Sequence, residues 1–106
     1  MEYGKDSFTI KATYWSDEEI SYDDIEEIEY RTGGAVGSRV GGFGSPRLQM
    51  GNFNNSEFGN YTRYTYTNCT QCVILTVKGG KIVISGKDEE STREIYEELM
   101  KKCRLL

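Results

Sequence analysis

The sequence contains no histidine and only three cysteines among its 106 residues. Because a structural zinc site uses four ligands of the kind that these two residue types supply, we expect no metal and no cofactor. No segment approaches the roughly 20 apolar residues of a membrane-spanning helix. Met1 to Asp6 also lack the apolar run of a signal peptide. The sequence predicts a soluble chain, and it is also compatible with one piece of a longer membrane protein.

Positive charge is scarce as well. The 13 lysines and arginines are outnumbered by 17 aspartates and glutamates, which gives a formal net charge of -4. Binding to nucleic acid phosphates requires a basic face, so nucleic acid is not an expected partner. A chain of this length has room for one hydrophobic core. We therefore expect a single domain over residues 1–106, with its core at about residues 8–103.

Strand formers dominate from Phe8 to Ile84, and helix formers appear only after Asp88. The alternation is clearest between Gly59 and Asn68, where Tyr61 and Tyr64 fall on opposite faces of a predicted strand. The predicted fold class is therefore mainly β with one C-terminal α-helix.

Three connections can be predicted between these strands. Ser16 to Glu19 indicate a polar turn with three negative charges, and Tyr22 to Ile25 indicate one helical turn that runs into a strand through Arg31. Further along, Lys78-Gly79-Gly80-Lys81 predicts a tight hairpin turn with two central glycines.

Glycines alternate with aromatic residues between Gly37 and Thr62. This pattern is typical of a small, sharply bent sheet, because glycine lets a strand turn a corner while the aromatic rings fill the middle. Arg39 to Met50 are predicted to form one or two short, bent strands, and Pro46 belongs at an edge or turn because it has no N–H to donate. The region from Arg39 to Phe53 is our candidate for an exposed sheet edge.

The C-terminal segment has the pattern of an amphipathic helix. Ile95, Leu99 and Cys103 recur at helical spacing, so Cys103 is interpreted as a core residue. Asp88 opens an acidic first turn, and the capping-box spacing of Ser91 and Glu94 offers a second possible start.

Taken with their order along the chain, these segments resemble the bacterial PH domain family, which consists of small bent barrels closed by a C-terminal helix. The resemblance extends over about residues 8–100. Its carriers are Tyr22-Asp23-Asp24-Ile25, Arg39-Val40-Gly41-Gly42-Phe43-Gly44, Gly51-Asn52-Phe53, Glu57-Phe58-Gly59-Asn60-Tyr61 and Ile95-Tyr96-Glu97-Glu98-Leu99. It implies a PH-like, strongly bent antiparallel barrel or sandwich of about seven strands capped by the helix.

The resemblance also carries functional expectations. Bacterial PH domains are often attached to transmembrane segments, which implies a membrane-associated parent protein and leaves the side of the membrane undetermined. No catalytic residues are assigned to the family, so we do not expect an enzyme. Phosphoinositide-binding PH domains place basic residues in the loop between their first two strands, where this chain has Ser16-Asp17-Glu18-Glu19. Carboxylates there would repel an anionic headgroup, and phosphoinositide binding is not expected.

Cys69 and Cys72 have the spacing of a redox pair. A reactive thiol of such a pair usually lies at a helix N-terminus, whereas the residues from Val73 to Val77 indicate a strand. Our preferred interpretation is that both are ordinary strand or turn residues, and a reversible disulfide is the alternative.

The candidate partner-binding residues come from the bent, aromatic-rich region. They are Arg39, Phe43, Arg47, Phe53, Phe58, Tyr61 and Tyr64. If exposed, the aromatic residues would form a binding platform, and the more common alternative is that such rings form cross-strand core pairs. The glycine-rich run between Gly33 and Gly44 also offers backbone N–H groups to an anion, although it matches no phosphate-binding motif.

Three functional hypotheses follow. We favour a non-enzymatic interaction or scaffold domain that contacts a protein partner or self-associates, because bent-sheet glycines and a capping helix occur without a catalytic set. The first alternative is a small-ligand or lipid-sensing module that uses an aromatic-lined cavity. The second alternative is thiol redox activity at Cys69 and Cys72.

Overall fold

The computed structural model describes residues 1–11, 17–33, 38–44 and 48–103, with the backbone alone for residues 38, 39 and 42–44. Predictions that concern Ala12 to Ser16, Gly34, Pro46 or Arg47 lie outside the described residues. The described part contains nine strands, one 3₁₀ turn and one α-helix. In chain order they are β1 (Glu2–Tyr3), β2 (Ser7–Ile10), β3 (Glu18–Ser21), the 3₁₀ turn (Tyr22–Asp24), β4 (Ile25–Thr32), β5 (Ser38–Gly44), β6 (Leu48–Asn55), β7 (Gly59–Tyr66), β8 (Gln71–Val77), β9 (Gly80–Ile84) and α1 (Glu89–Cys103). The mainly β class with one C-terminal helix is confirmed.

The strands form two sheets. The smaller sheet has the order β1-β2-β3, and the larger has the order β4-β8-β9-β7-β6-β5. Every pair is antiparallel except β7 and β9, which run parallel with Thr62 opposite Ile82. The expectation of about seven antiparallel strands is therefore corrected to nine described strands with one parallel pair. The parallel pair arises because β9 forms a hairpin with β8 and also lies against β7.

Two predicted connections need correction. Glu18 and Glu19 belong to strand β3 rather than to a turn, because they pair with Ile10 and Thr9 of β2. In the β8–β9 hairpin the central residues are Lys78 and Gly79, with φ of 51° and 81°. Positive φ at both central positions matches the twist of the flanking strands, and Gly80 pairs with Val77 as the first residue of β9.

The larger sheet buries side chains on both faces. Along β8, Val73 and Leu75 join the main core, whereas Cys72 and Ile74 join a second cluster. This division follows from the alternation of side chains along a strand. The predicted opposition of two tyrosines on β7 is also observed, since Tyr64 belongs to the main core and Tyr61 to the second cluster.

Helix α1 covers the main core with one apolar stripe. Leu99 is fully buried, Ile95 is buried, and Cys103 packs against the same core as predicted. The first predicted start is confirmed, because the Ser91 N–H donates to the Asp88 carboxylate at 2.9 Å. The Asp88 N–H donates in return to the Ser91 hydroxyl at 3.2 Å. Ser91 is thereby used inside the first turn and does not begin the helix.

Candidate functional site

Strand β5 forms one edge of the larger sheet, as predicted for part of the region from Arg39 to Phe53. Within the described residues its only strand partner is β6, and β6 itself lies between β7 and β5. The pairing shifts between Arg39 and Gly41, where a bulge makes Val40 prominent. Val40 is 68% exposed, the largest exposure among the described large hydrophobic residues. β5 therefore presents an apolar side chain beside an unpaired strand edge.

The opposite edge, strand β4, has a different chemistry. It carries Glu26, Glu27 and Glu29 together with Arg31, and its pairing with β8 is irregular between Ile25 and Glu27. Both edges have an irregular pairing, but charged side chains along an edge discourage an added strand. Of the two edges, β5 is the one without these charged side chains, because Arg39 is its only ionisable residue.

A shallow cavity of about 460 Å³ lies beside β5 and extends to the β8–β9 turn. Its described lining includes Glu18, Val40, Asn52, Asn60, Thr62, Lys78 and Lys81. The Asn54 side-chain amide donates to Asn60 Oδ1 at 2.9 Å, which orients one wall of the cavity. This groove combines apolar residues, neutral hydrogen-bonding groups, one carboxylate and two lysines, so it has donors and acceptors for a polar ligand segment.

The aromatic residues predicted to bind a partner are mostly internal. Phe53, Tyr61 and Tyr64 are 3%, 4% and 5% exposed, which makes their rings core components rather than a surface platform. Phe53 and Tyr61 have ring centroids 6.0 Å apart, and half-buried Phe58 meets Tyr61 edge to face at 5.4 Å. The cross-strand alternative thus describes these rings, because burying them stabilises the sheet.

The remaining predicted partner-binding residues are Arg39, Phe43 and Arg47. The backbone of Arg39 and Phe43 belongs to β5, and Arg47 lies outside the described residues. In the glycine-rich run from Gly33 to Gly44, where an anion site was predicted, residues 34–37 lie outside the described residues, and the backbone alone is described for residues 38, 39 and 42–44.

An ion-pair cluster joins the β6–β7 turn to strand β4. The Arg31 guanidinium donates to both carboxylate oxygens of Glu57, at 2.7 and 2.9 Å, and through Nε to Glu29 at 2.8 Å. It also lies 5.6 Å from the centroid of the Phe58 ring. Arg31 holds the pKa of the Glu57 carboxyl below its usual range. The sequence analysis missed this cluster, because its members are 26 residues apart.

The three cysteines are free thiols. Cys72 is buried in β8, and burial raises the pKa of its thiol, which disfavours the reactive thiolate. Cys69 lies before β8, where its Sγ donates to the Gln71 carbonyl and lies 3.4 Å from the Thr92 hydroxyl. Neither residue has the helix N-terminal position that activates a redox thiol.

Two sheets with a terminal helix over the main core are consistent with a PH-like sandwich. A family model described as Bacterial PH domain matches residues 1–102, and the chain belongs to this family. Its members are protein- or lipid-interaction modules and are generally not catalytic. No curated protein and no solved structure matches the chain. Among the residues that the structure describes, no helix combines the length and apolar character needed to span a bilayer.

Proposed function

We propose that this domain is a non-enzymatic interaction module whose β5 edge accepts an extended segment of a partner protein. The observation that carries the proposal is the position of β5 as the outermost strand of the larger sheet, with its own residue Val40 exposed. An edge strand offers unpaired N–H and C=O groups, and a partner segment gains affinity by pairing with them. The groove beside β5 supplies contacts for the side chains of that segment.

The charges around the edge favour a particular partner. Lys78 and Lys81 line the groove together with one carboxylate, Glu18, and the neutral Asn52 and Asn60. Because the positive charges outnumber the negative one, a neutral or mildly acidic segment fits better than a basic one. A second copy of the chain is the other protein partner that the edge can accept. The net charge of -4 on each copy opposes this pairing, and we therefore favour a different protein.

A matched pair of edge variants tests the proposal. Val40→Lys places a charge on β5, and Thr32→Lys places the same charge at an exposed position on β4. Peptides would first be selected on the wild-type domain from a displayed library of short, unstructured sequences. We expect Val40→Lys to lower the affinity of the domain for the selected peptides roughly tenfold or more, which corresponds to about 1.4 kcal/mol. Thr32→Lys should leave this affinity nearly unchanged.

Three results would oppose or redirect this proposal. A library that yields no specific binder, or binders that are equally sensitive to both variants, would refute binding at β5. The molecular mass in solution is the third measurement. If it doubles as the protein concentration rises, and if the Val40→Lys variant keeps the mass of one chain, the β5 edge serves self-association instead. Amide hydrogen exchange supplies the direct readout, because pairing with a peptide should slow exchange along β5 and not along β4.

We also propose that the natural protein holds this domain beside a membrane, as the resemblance to membrane-attached bacterial PH domains implies. The proposal does not invoke phosphoinositides. Lys11 and Asp17, at the two ends of the β2–β3 connection, form an ion pair at 3.2 Å, and Glu18 and Glu19 follow. Fractionation of the full-length gene product tests membrane association, and recovery in the soluble fraction alone would contradict it.

A further inference from the structure

A second cavity, of about 240 Å³, lies between the two sheets and the start of α1. Its apolar lining comes from buried residues of four strands and the helix. These residues are Ile10, Met50, Tyr64, Ile84 and Ile95. The connection between β9 and α1 forms one side through Ser85, Gly86 and Lys87. The cavity therefore has an apolar floor and a polar rim, the usual composition of a small-molecule site.

Exposed apolar residues also occur at this cavity. Met1 and Tyr66, which line it, are 37% and 38% exposed, and they are two of the four large hydrophobic residues that are exposed in the described part of the chain. Leaving apolar surface in water costs free energy, and a ligand that covers it would recover part of that cost. The lining thus favours an occupant with its own apolar portion.

The charge at the rim favours an anion. Lys11 and Lys87 are the charged residues among the described lining, in a chain whose net charge is -4. Lys11 is already paired with Asp17 at 3.2 Å and with Glu2 at 3.9 Å. Lys87 takes part in none of the ion pairs found among the described residues, although it lies close enough to Asp88 to help lower the pKa of that carboxyl. Of the two rim lysines, Lys87 is therefore the one less committed to a protein partner.

We propose that this cavity binds a small anionic amphiphile, a carboxylate with an alkyl chain of medium length. At about 30 Å³ for each water-sized group, the cavity holds roughly eight such groups, which corresponds to a chain of about eight carbons. The alkyl chain of the ligand covers the apolar floor and the aromatic rings of the lining, and the ligand carboxylate lies at the rim near Lys87. This inference is independent of partner binding at β5.

Octanoate is the probe, and calorimetric titration is the measurement. Shortening the chain to hexanoate removes two methylene groups, which should weaken binding about 15-fold. Octylammonium, with the same chain and the opposite charge, should bind at least about tenfold more weakly than octanoate. Equal binding of octanoate and octylammonium would overturn the role of the rim, and no binding of octanoate at millimolar concentration would overturn the site.

Two pairs of variants locate the binding. Lys87→Gln should weaken octanoate roughly tenfold, whereas Lys5→Gln, an exposed lysine away from the cavity, should not. Tyr66→Ala should weaken octanoate binding roughly fivefold. Tyr3→Ala removes a similarly exposed ring from a different groove and should leave octanoate binding unchanged. If each control variant loses as much affinity for octanoate as the cavity variant with which it is paired, octanoate binds elsewhere and the proposal fails. Circular dichroism spectra of all four variants establish that each is folded.

Discussion

Removal of a single hydroxyl oxygen from each of three tyrosines should change the stability of this domain in opposite directions. The Tyr22 hydroxyl donates to the Gly4 carbonyl at 3.0 Å, and the Tyr64 hydroxyl donates to the Glu18 carboxylate at 3.0 Å. The Tyr30 hydroxyl is buried and has no hydrogen-bond partner among the residues that the structure describes. The Tyr→Phe substitution is the same at each position, so the partner of the hydroxyl decides the result.

The magnitudes follow from those partners. Tyr22→Phe loses a neutral hydrogen bond and should lower the free energy of unfolding by about 1 kcal/mol. Tyr64→Phe loses a bond to a charged group and should lower it by about 1.5–3 kcal/mol. Tyr30→Phe removes a buried oxygen that has no hydrogen-bond partner among the described residues, and should raise the free energy of unfolding by about 1 kcal/mol.

The ring of Tyr30 keeps its surroundings in the Phe variant. It meets Tyr96 edge to face at 5.6 Å, and the Arg93 guanidinium lies 4.7 Å from its centroid. Both contacts use the aromatic ring and not the hydroxyl, so Tyr30→Phe changes only the unpaired oxygen.

Urea unfolding at neutral pH is the assay, with an unchanged denaturant slope as the check on two-state behaviour. For a domain of this size, 1 kcal/mol corresponds to a shift of about 4–8 °C in Tm, which a thermal scan resolves. If Tyr30→Phe destabilises the domain as much as Tyr22→Phe, the Tyr30 hydroxyl has a partner and the reasoning is refuted. If Tyr64→Phe lowers the free energy of unfolding no more than Tyr22→Phe does, the hydrogen bond from Tyr64 to Glu18 is not strengthened by the carboxylate charge.

Four further predictions concern the core, the helix start, the thiols and alkaline pH. Leu99→Ala should lower the free energy of unfolding by about 2–5 kcal/mol in urea titrations, because the side chain is fully buried under the helix; a loss below about 1 kcal/mol would contradict the packing. Hydrogen bonds from Ser91 lower the pKa of the Asp88 carboxyl, so its contribution is present above the ordinary aspartate pKa and is lost as pH falls through the folded-state value. The stability difference between wild type and Asp88→Ala should therefore narrow in acid, and a constant difference would argue against the cap. In timed labelling with a thiol reagent, Cys69 should react before Cys72, whose pKa is raised by burial; equal rates would show that Cys72 is accessible. Although the Tyr3 side chain is 36% exposed, partial desolvation of its hydroxyl, with help from nearby carboxylates, raises the pKa of Tyr3 to about 12. Stability that is present below the ordinary tyrosine pKa of about 10 should therefore be lost as pH rises toward that value. Tyr3→Phe should flatten this alkaline limb of the unfolding curve, and an identical limb would exclude Tyr3 as a cause.

Much of the fold could be predicted from local pattern. Alternation along β7 correctly separated Tyr61 from Tyr64, and helical spacing correctly identified Ile95 and Leu99 as buried. Both predictions depend on periodicity within one element, which a sequence shows directly. Glycine-rich composition also indicated where a sheet edge would lie, because bent strands with little side chain are poor interior strands.

The rest depends on contacts that no local pattern contains. The parallel alignment of Thr62 with Ile82 and the bond from Arg31 to Glu57 both join residues that are distant in the sequence. The burial of Phe53 and Tyr61 could not be predicted for the same reason. Whether an aromatic residue on a strand faces the core or the solvent depends on which distant segment packs over it. The sequence analysis therefore chose candidate residues by type, whereas our proposal places partner binding along the backbone of β5.

The central place of β9 in the larger sheet also constrains how the chain can fold during synthesis. β9 is the last strand to leave the ribosome, and it separates β8 from β7, which do not pair with each other. Until residue 84 has emerged, the sheet exists as two unconnected halves, each with a temporary edge. A nascent chain arrested before Gly80 should consequently be vulnerable to proteases, and it should become resistant only when this final strand and the following helix are free of the exit tunnel.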